Sequence, residues 1–290
     1  MSFAIWGFFS IPLRNLKEYP SEEILYYRIF SSLILIWVAI FLFRRKYLLA
    51  DLTYLKLANR AEKQSIALKT IAATLFLVLN WYTYIYAVNN VSLQSAAFAY
   101  MVCPLLTAFG GFILLKEDLS VLKFVSLGIA LLSIILLATG SLIDVLWSVG
   151  IGLLYAFYLI LQRSMKHLDK LNILAVQITL AVVIMLPFYL MSDQSIPTAF
   201  SFWTNIIVIA LVFTIIPLFL SLYALIGIPS STLGIIIYVN PIIAFTVAIV
   251  HFNEVIDPHK LFSYGLLLLS IIIFNWKTIS GAFAAKLKDA

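Results

Sequence analysis

The chain of 290 residues is 63% hydrophobic and 11% charged, carries a net charge of +6, and has a mean hydropathy of +1.07. Soluble domains hold about 50% apolar and about 25% charged residues, so a water-soluble globular fold is excluded and most of the apolar surface must meet lipid. With one cysteine, Cys103, no internal disulfide can form.

A helix needs about 20 apolar residues to cross the hydrocarbon. The first apolar stretch, Phe3–Leu13, is about half a span. It lacks the positive start and small-residue cleavage site of a signal peptide, so a short first helix is expected. Longer apolar runs follow at Ile24–Phe43 (with Arg28 one turn in), Thr70–Val88, Leu93–Leu115, Leu122–Thr139 and Leu142–Leu161. Four more lie at Asn172–Met191, Phe202–Ile226, Ser230–Phe252 and Leu261–Trp276. These are long runs rather than alternating strands, which predicts an all-α integral membrane protein of ten transmembrane helices, the first one short, and not a barrel.

Charge placement orients the bundle. With the N-terminus in the cytoplasm, 15 of the 19 Lys and Arg residues fall on the inner side, and only Arg14, Lys17, Arg28 and Lys260 on the outer. That asymmetry is what the positive-inside rule predicts, with both termini cytoplasmic. The basic loop Arg44–Lys69 is therefore a topology signal, and no nucleic-acid partner is implied.

The second half of the chain repeats the first at a constant offset of 137 residues: Tyr86 falls on Tyr223, Pro104 on Pro241, Glu117 on Glu254, Lys123 on Lys260 and Gly128 on Gly265. Matches of Leu and Ile mean little in so apolar a chain, but Pro, Glu, Lys and Gly in one register mean much more. The boundary divides the chain into 1–140 and 141–290, five helices each. An odd number per half makes the halves enter the membrane upside down to one another, the inverted repeat of a secondary transporter, whose substrate site lies where the repeats meet.

The residues Trp6-Gly7, then Glu23–Arg28, then Asn80–Asn90 with Tyr100, Pro104 and Glu117, resemble the EamA branch of the drug/metabolite transporter superfamily, and within it the RarD-type members. The resemblance spans nearly the whole chain. It implies a ten-helix inverted-repeat carrier of the bacterial inner membrane. Its central cavity would be lined mainly by helices 1, 3, 4, 6, 8 and 9. It says little about substrate.

The candidate site residues are polar or aromatic groups inside spans. Asn80 and Trp81 sit midway along the third helix, where an unpaired amide costs a few kcal/mol; Asn80 is either helix-to-helix glue or a cavity group, with Tyr84 one turn on. Tyr100, Tyr155, Tyr158 and Tyr238 lie within spans. Pro104 and Pro241 remove a backbone donor and invite a bend, which Asn240 is placed to answer. Trp6 closes the cavity if the first helix is intact. Arg28 either snorkels to the outer surface, with Glu22 or Glu23 as partner, or faces the cavity and selects carboxylate or phosphate. Glu117 and Glu254 end spans shortly before the helix caps Ser120 and Asp257, the latter followed by Pro258, and read as hairpin-setting residues. Gly110-Gly111 and Gly150/Gly152 read as points of close helix approach.

His251, Glu254 and His259 lack metal-ligand spacing, so neither metal nor cofactor is expected. None of the thirteen acidic residues falls in the middle third of a span, which argues against direct proton coupling. The composite expectation is a carrier of a small amphipathic or aromatic-bearing solute in a neutral cavity, working by alternating access. Its partners are that solute and the lipid bilayer, with a homodimer as an open state. A non-transporting helper or degenerate relative, and an intramembrane enzyme, are the alternatives; GxSxG, HExxH and Asp-rich motifs are all missing.

Overall fold

The computed structural model describes residues 1–115, 119–165, 167–192, 195–227, 239–255, 257–277 and 280–281. Among them there are helices and turns and no strand. The helices are α1 (Ser2–Gly7), α2 (Ser10–Arg14), α3 (Ser21–Ala39), α4 (Arg45–Leu57), α5 (Arg60–Asn90), α6 (Leu93–Leu115) and α7 (Val121–Gly140). They continue with α8 (Leu142–Ser164), α9 (Lys170–Leu190), α10 (Phe200–Ala210), α11 (Ile216–Gly227), α12 (Val239–Val250) and α13 (Pro258–Phe274). Turns of π-helix at Ile40–Arg44 and Leu211–Ile215 join α3 to α4 and α10 to α11. Among the described residues, seven helices are long and apolar enough to cross a membrane, with α12 and α13 as shorter apolar helices.

Helix starts follow the capping chemistry. Asn59 accepts from the Glu62 amide at 2.8 Å, an Asn-x-x-Glu start for α5. Ser141 caps α8 and Asp169 caps α9. Asp257 accepts from the His259 amide at 2.9 Å with Pro258 in the first turn of α13, the cap expected there. Ser120 precedes α7 but makes no side-chain cap bond. Glu117 and Tyr238 lie outside the described residues.

Three expectations are corrected. The first span is not one short helix over Phe3–Leu13: α1 and α2 are separate pieces broken at Phe8-Phe9, with the Phe9 backbone amide bonded to the Trp6 carbonyl at 3.0 Å. The basic stretch Arg44–Lys69 is helical, because α4 occupies it and α5 begins at Arg60, ten residues before the apolar run. Gly152, but not Gly150, is a close approach. A Cβ at Gly152 would stand 3.0 Å from the Ala99 carbonyl of α6, while nothing lies within 4 Å of one at Gly150.

Packing pairs α6 with α8 and α12, α5 with α8, α3 with α9, α1 with α11 and α12, and α7 with α13. The α7–α13 seam is stitched by hydroxyls. Ser126 donates to the Ser270 carbonyl at 2.8 Å and Ser270 to the Ser126 carbonyl at 2.7 Å; Ser133 donates to the Ser263 carbonyl at 2.6 Å. Each bond satisfies a group that lipid cannot.

Candidate functional site

A small, partly open cavity lies inside the bundle. Its lining is Trp6, Phe9, Arg28, Asn80, Trp81, Tyr84, Tyr100, Tyr155, Leu218 and Asn240. These come from seven parts of the chain: the α1–α2 segment, α3, α5, α6, α8, α11 and α12. Eight candidate residues of the sequence thus meet at one place. Tyr158, expected with them, stands one layer out. It is fully buried and its ring stacks on Tyr155 at 5.7 Å, about one turn farther along α8.

Arg28 dominates the chemistry. It is 2% exposed, so the snorkelling account fails, and neither Glu22 nor Glu23 pairs with it. Two turns into α3, the side chain points inward, where its Nε donates to Thr214 Oγ1 at 2.9 Å. The guanidinium lies 4.3 Å from the Trp81 ring centre and 5.0 Å from that of Phe9. A cation desolvated between aromatic faces gains about 2 kcal/mol from them. Its Nη1 has no partner among the described residues.

Thr214 reaches Arg28 because of the π turn. The turn's wider ring brings the Thr214 hydroxyl onto the Ile209 carbonyl at 2.8 Å while its oxygen accepts from Arg28. Pro217 has no N–H to give the carbonyl four residues back. That carbonyl belongs to Phe213, and the Trp6 indole N–H donates to it at 2.9 Å. The first segment is pressed closer still at Gly7, where a Cβ would stand 2.5 Å from Ile243 Cβ and 3.2 Å from the Asn240 carbonyl. Only glycine lets α1 approach α12 so closely.

The remaining lining is aromatic with loose polar ends. Phe9 stacks on Tyr84 at 5.5 Å, Tyr84 meets Tyr100 at 5.4 Å, Tyr100 meets Tyr155 at 5.8 Å, and Trp6 meets Tyr155 edge-on at 6.4 Å. Asn80 is both glue and lining: its Nδ2 donates to the Ile151 carbonyl at 3.0 Å, and its Oδ1 has no partner among the described residues. Pro104 does not break α6, which runs through it, although Pro104 leaves the Tyr100 carbonyl without its helical donor.

Phe9, Thr214 and Leu218 escaped the sequence reading. A hydroxyl and a proline (Thr214, Pro217) in the middle of the apolar run Phe202–Ile226 were the available signal. Phe9 carried none, because its position depends on the break after α1.

One end of the bundle beyond the cavity is held by charge. Arg14 pairs with Glu254, and its guanidinium stands 4.4 Å from the Phe252 ring centre. Lys260 pairs with Asp144 at 2.5 Å, and Asp144 also accepts from Ser95 at 2.5 Å. Gln94 donates to the Val255 carbonyl at 3.2 Å. At the opposite end Arg44 pairs with Asp169 at 2.6 Å, and Asp51 accepts from Asn172 at 2.7 Å.

Comparison with known proteins agrees with this architecture. The EamA-like transporter family matches residues 1–139 and again 142–276. The chain is 27% identical to the uncharacterized transporter YojE of Bacillus subtilis, with 99% of this chain and 95% of that protein covered. It is 26% identical to the protein RarD of Streptomyces exfoliatus, covering 97% and 88%, and 24% identical to RarD of Escherichia coli, covering 94% and 90%. A crystal structure 13% identical in sequence superimposes with a TM-score of 0.66 over 94% of each chain, a likeness of fold alone. The chain is a multi-pass membrane protein and belongs to the EamA-like transporter family.

Proposed function

We propose that this protein carries a small organic solute across the bacterial inner membrane by alternating access, without direct proton coupling and with both termini in the cytoplasm. Its two halves, 1–140 and 141–290, form an inverted repeat of five helices each, ten in all, that rock about the cavity. The observation that carries the reading is the lining: Trp6, Arg28, Asn80 and Tyr100 come from the first half, Tyr155, Leu218 and Asn240 from the second. A site shared in this way changes its access when the halves move.

The inverted relation has support of its own. The offset of 137 residues sends Ser126 to Ser263 and Ser133 to Ser270. The contacts made are Ser126 with Ser270 and Ser133 with Ser263. The offset exchanges these two contacts, and the equivalent helices α7 and α13 run antiparallel. A two-fold axis in the membrane plane does both; a parallel repeat would oppose Ser126 to Ser263. The other pairings obey the same swap, since α6 with α8 corresponds to α12 with α1, and α5 with α8 to α11 with α1.

In this reading the end held by Arg14–Glu254 and Lys260–Asp144 is the outer one, closed. The test is exchange across proteoliposomes loaded with the small-molecule fraction of a bacterial extract, followed by mass spectrometry. At least one solute should move through the wild-type protein and stop in Asn80→Ala. No movement of any solute would favour the non-transporting helper.

A further inference from the structure

Outside the cavity, several buried charged and hydroxyl groups are paired, among them Asp144 with Lys260 and Ser95, Asp169 with Arg44, and Ser126 with Ser270, while the unpartnered ones, such as the Tyr158 hydroxyl, are mostly neutral. Arg28 is different. It is a buried cation whose Nη1 has no partner, and among the described residues it makes no ion pair. A buried charge without a counter-charge costs several kcal/mol, and such residues in membranes face cavities that receive a partner. Two aromatic faces and one hydroxyl lessen that cost but do not neutralise the charge.

We infer that the solute supplies the missing counter-charge: the cavity takes an organic monoanion whose carboxylate docks on the Arg28 guanidinium. This rests on the carrier reading and names its substrate class. The guanidinium's fork suits a carboxylate, which accepts two parallel N–H bonds. Nε is committed to Thr214, which leaves the Nη side for the ligand. The charge count favours a monoanion, because among the described residues the lining contains one cation, no acid and no second base. A dianionic phosphate ester would bury a surplus negative charge. The body of the solute meets the rings of Phe9, Trp81, Tyr84, Tyr100 and Tyr155, which fits an aromatic or compact apolar group. Asn80 Oδ1 has no hydrogen bond among the described residues, and the Tyr84, Tyr100 and Tyr155 rings carry hydroxyls into the same lining. They remain for a hydroxyl or amide on that body.

The test is equilibrium binding to the purified full chain in detergent, read by tryptophan fluorescence and by thermal shift, so it does not depend on flux. The probes are benzoate, phenylacetate, 3-phenylpropionate and 4-hydroxyphenylacetate, their neutral primary amides, and phenyl and benzyl phosphate. The expected result is saturable binding of at least one carboxylate, with its amide and the phosphates weaker by tenfold or more. Arg28→Gln should weaken the carboxylate roughly 30-fold and leave its amide unchanged, since removing one partner of a buried charged pair acts at that scale. Arg28→Lys should fall between, keeping the charge but losing the fork. Should Arg28→Gln fail to fold, the wild-type preference for carboxylate over amide still decides. Amides or phosphates binding as well as carboxylates, or no carboxylate binding at all, would overturn the inference. Carboxylate binding without exchange in proteoliposomes would instead defeat the carrier reading alone. Exchange of neutral solutes only would defeat this one.

Discussion

Two polar regions lie inside this apolar body, and they are built on opposite principles. In the α7–α13 seam the hydroxyls of Ser126, Ser133 and Ser270 all donate to a backbone carbonyl across the interface. In the cavity Arg28 Nη1 and Asn80 Oδ1 have no partner among the described residues. Both regions are sealed from lipid, so burial does not separate them. Satisfaction does: the paired groups of the seam hold two helices together, and the unpaired ones that line the cavity are open to something that is not protein.

The contrast can be broken from either side. The largest effect on stability is expected from Lys260→Met, which strands the buried Asp144 carboxylate with only its serine donors. A loss of about 2–3 kcal/mol, discounted for the partial exposure of Lys260, should appear as a lowered unfolding midpoint in detergent. Trp81→Ala removes an aromatic face from the Arg28 guanidinium. It should weaken solute binding roughly 30-fold by fluorescence or isotope titration, and reduce exchange accordingly. Gly7→Val drives a side chain into Ile243 and the Asn240 carbonyl, at a cost of about 1–3 kcal/mol, and should slow exchange because Trp6 and Asn240 shift together. Ser133→Ala belongs to the paired region. It should cost about 0.6–1 kcal/mol and leave exchange untouched. Tyr158→Phe sharpens the boundary. That hydroxyl is buried without a partner, so its removal should be neutral or slightly stabilising and silent in binding.

Much of this was legible in the sequence, for local reasons. Length and hydropathy mark spans because the hydrocarbon sets their length, and Asp257-Pro258 marks a helix start because capping chemistry is local. Asn80, Trp81, Tyr84, Tyr100, Tyr155 and Asn240 stood out as polar or aromatic groups where lipid tolerates few. What stayed hidden depends on distant parts of the chain. The direction of Arg28 is decided by Thr214, 186 positions away, and Thr214 is in reach only through a π turn that no short pattern announces. Phe9 lines the cavity because the chain breaks after α1, and Trp6 bonds Phe213 where Pro217 has removed a donor. Short apolar pieces at the start of the chain look like half a helix until their partners are known.

The central claim is that the halves separate at the end held by Arg14–Glu254 to admit the solute. Arg14→Cys with Glu254→Cys, in a Cys103→Ser background that leaves no other thiol, allows that contact to be locked by a short thiol cross-linker. Exchange in proteoliposomes should fall to background on cross-linking and return when a cleavable linker is reduced. Undiminished exchange through fully cross-linked protein would contradict the account.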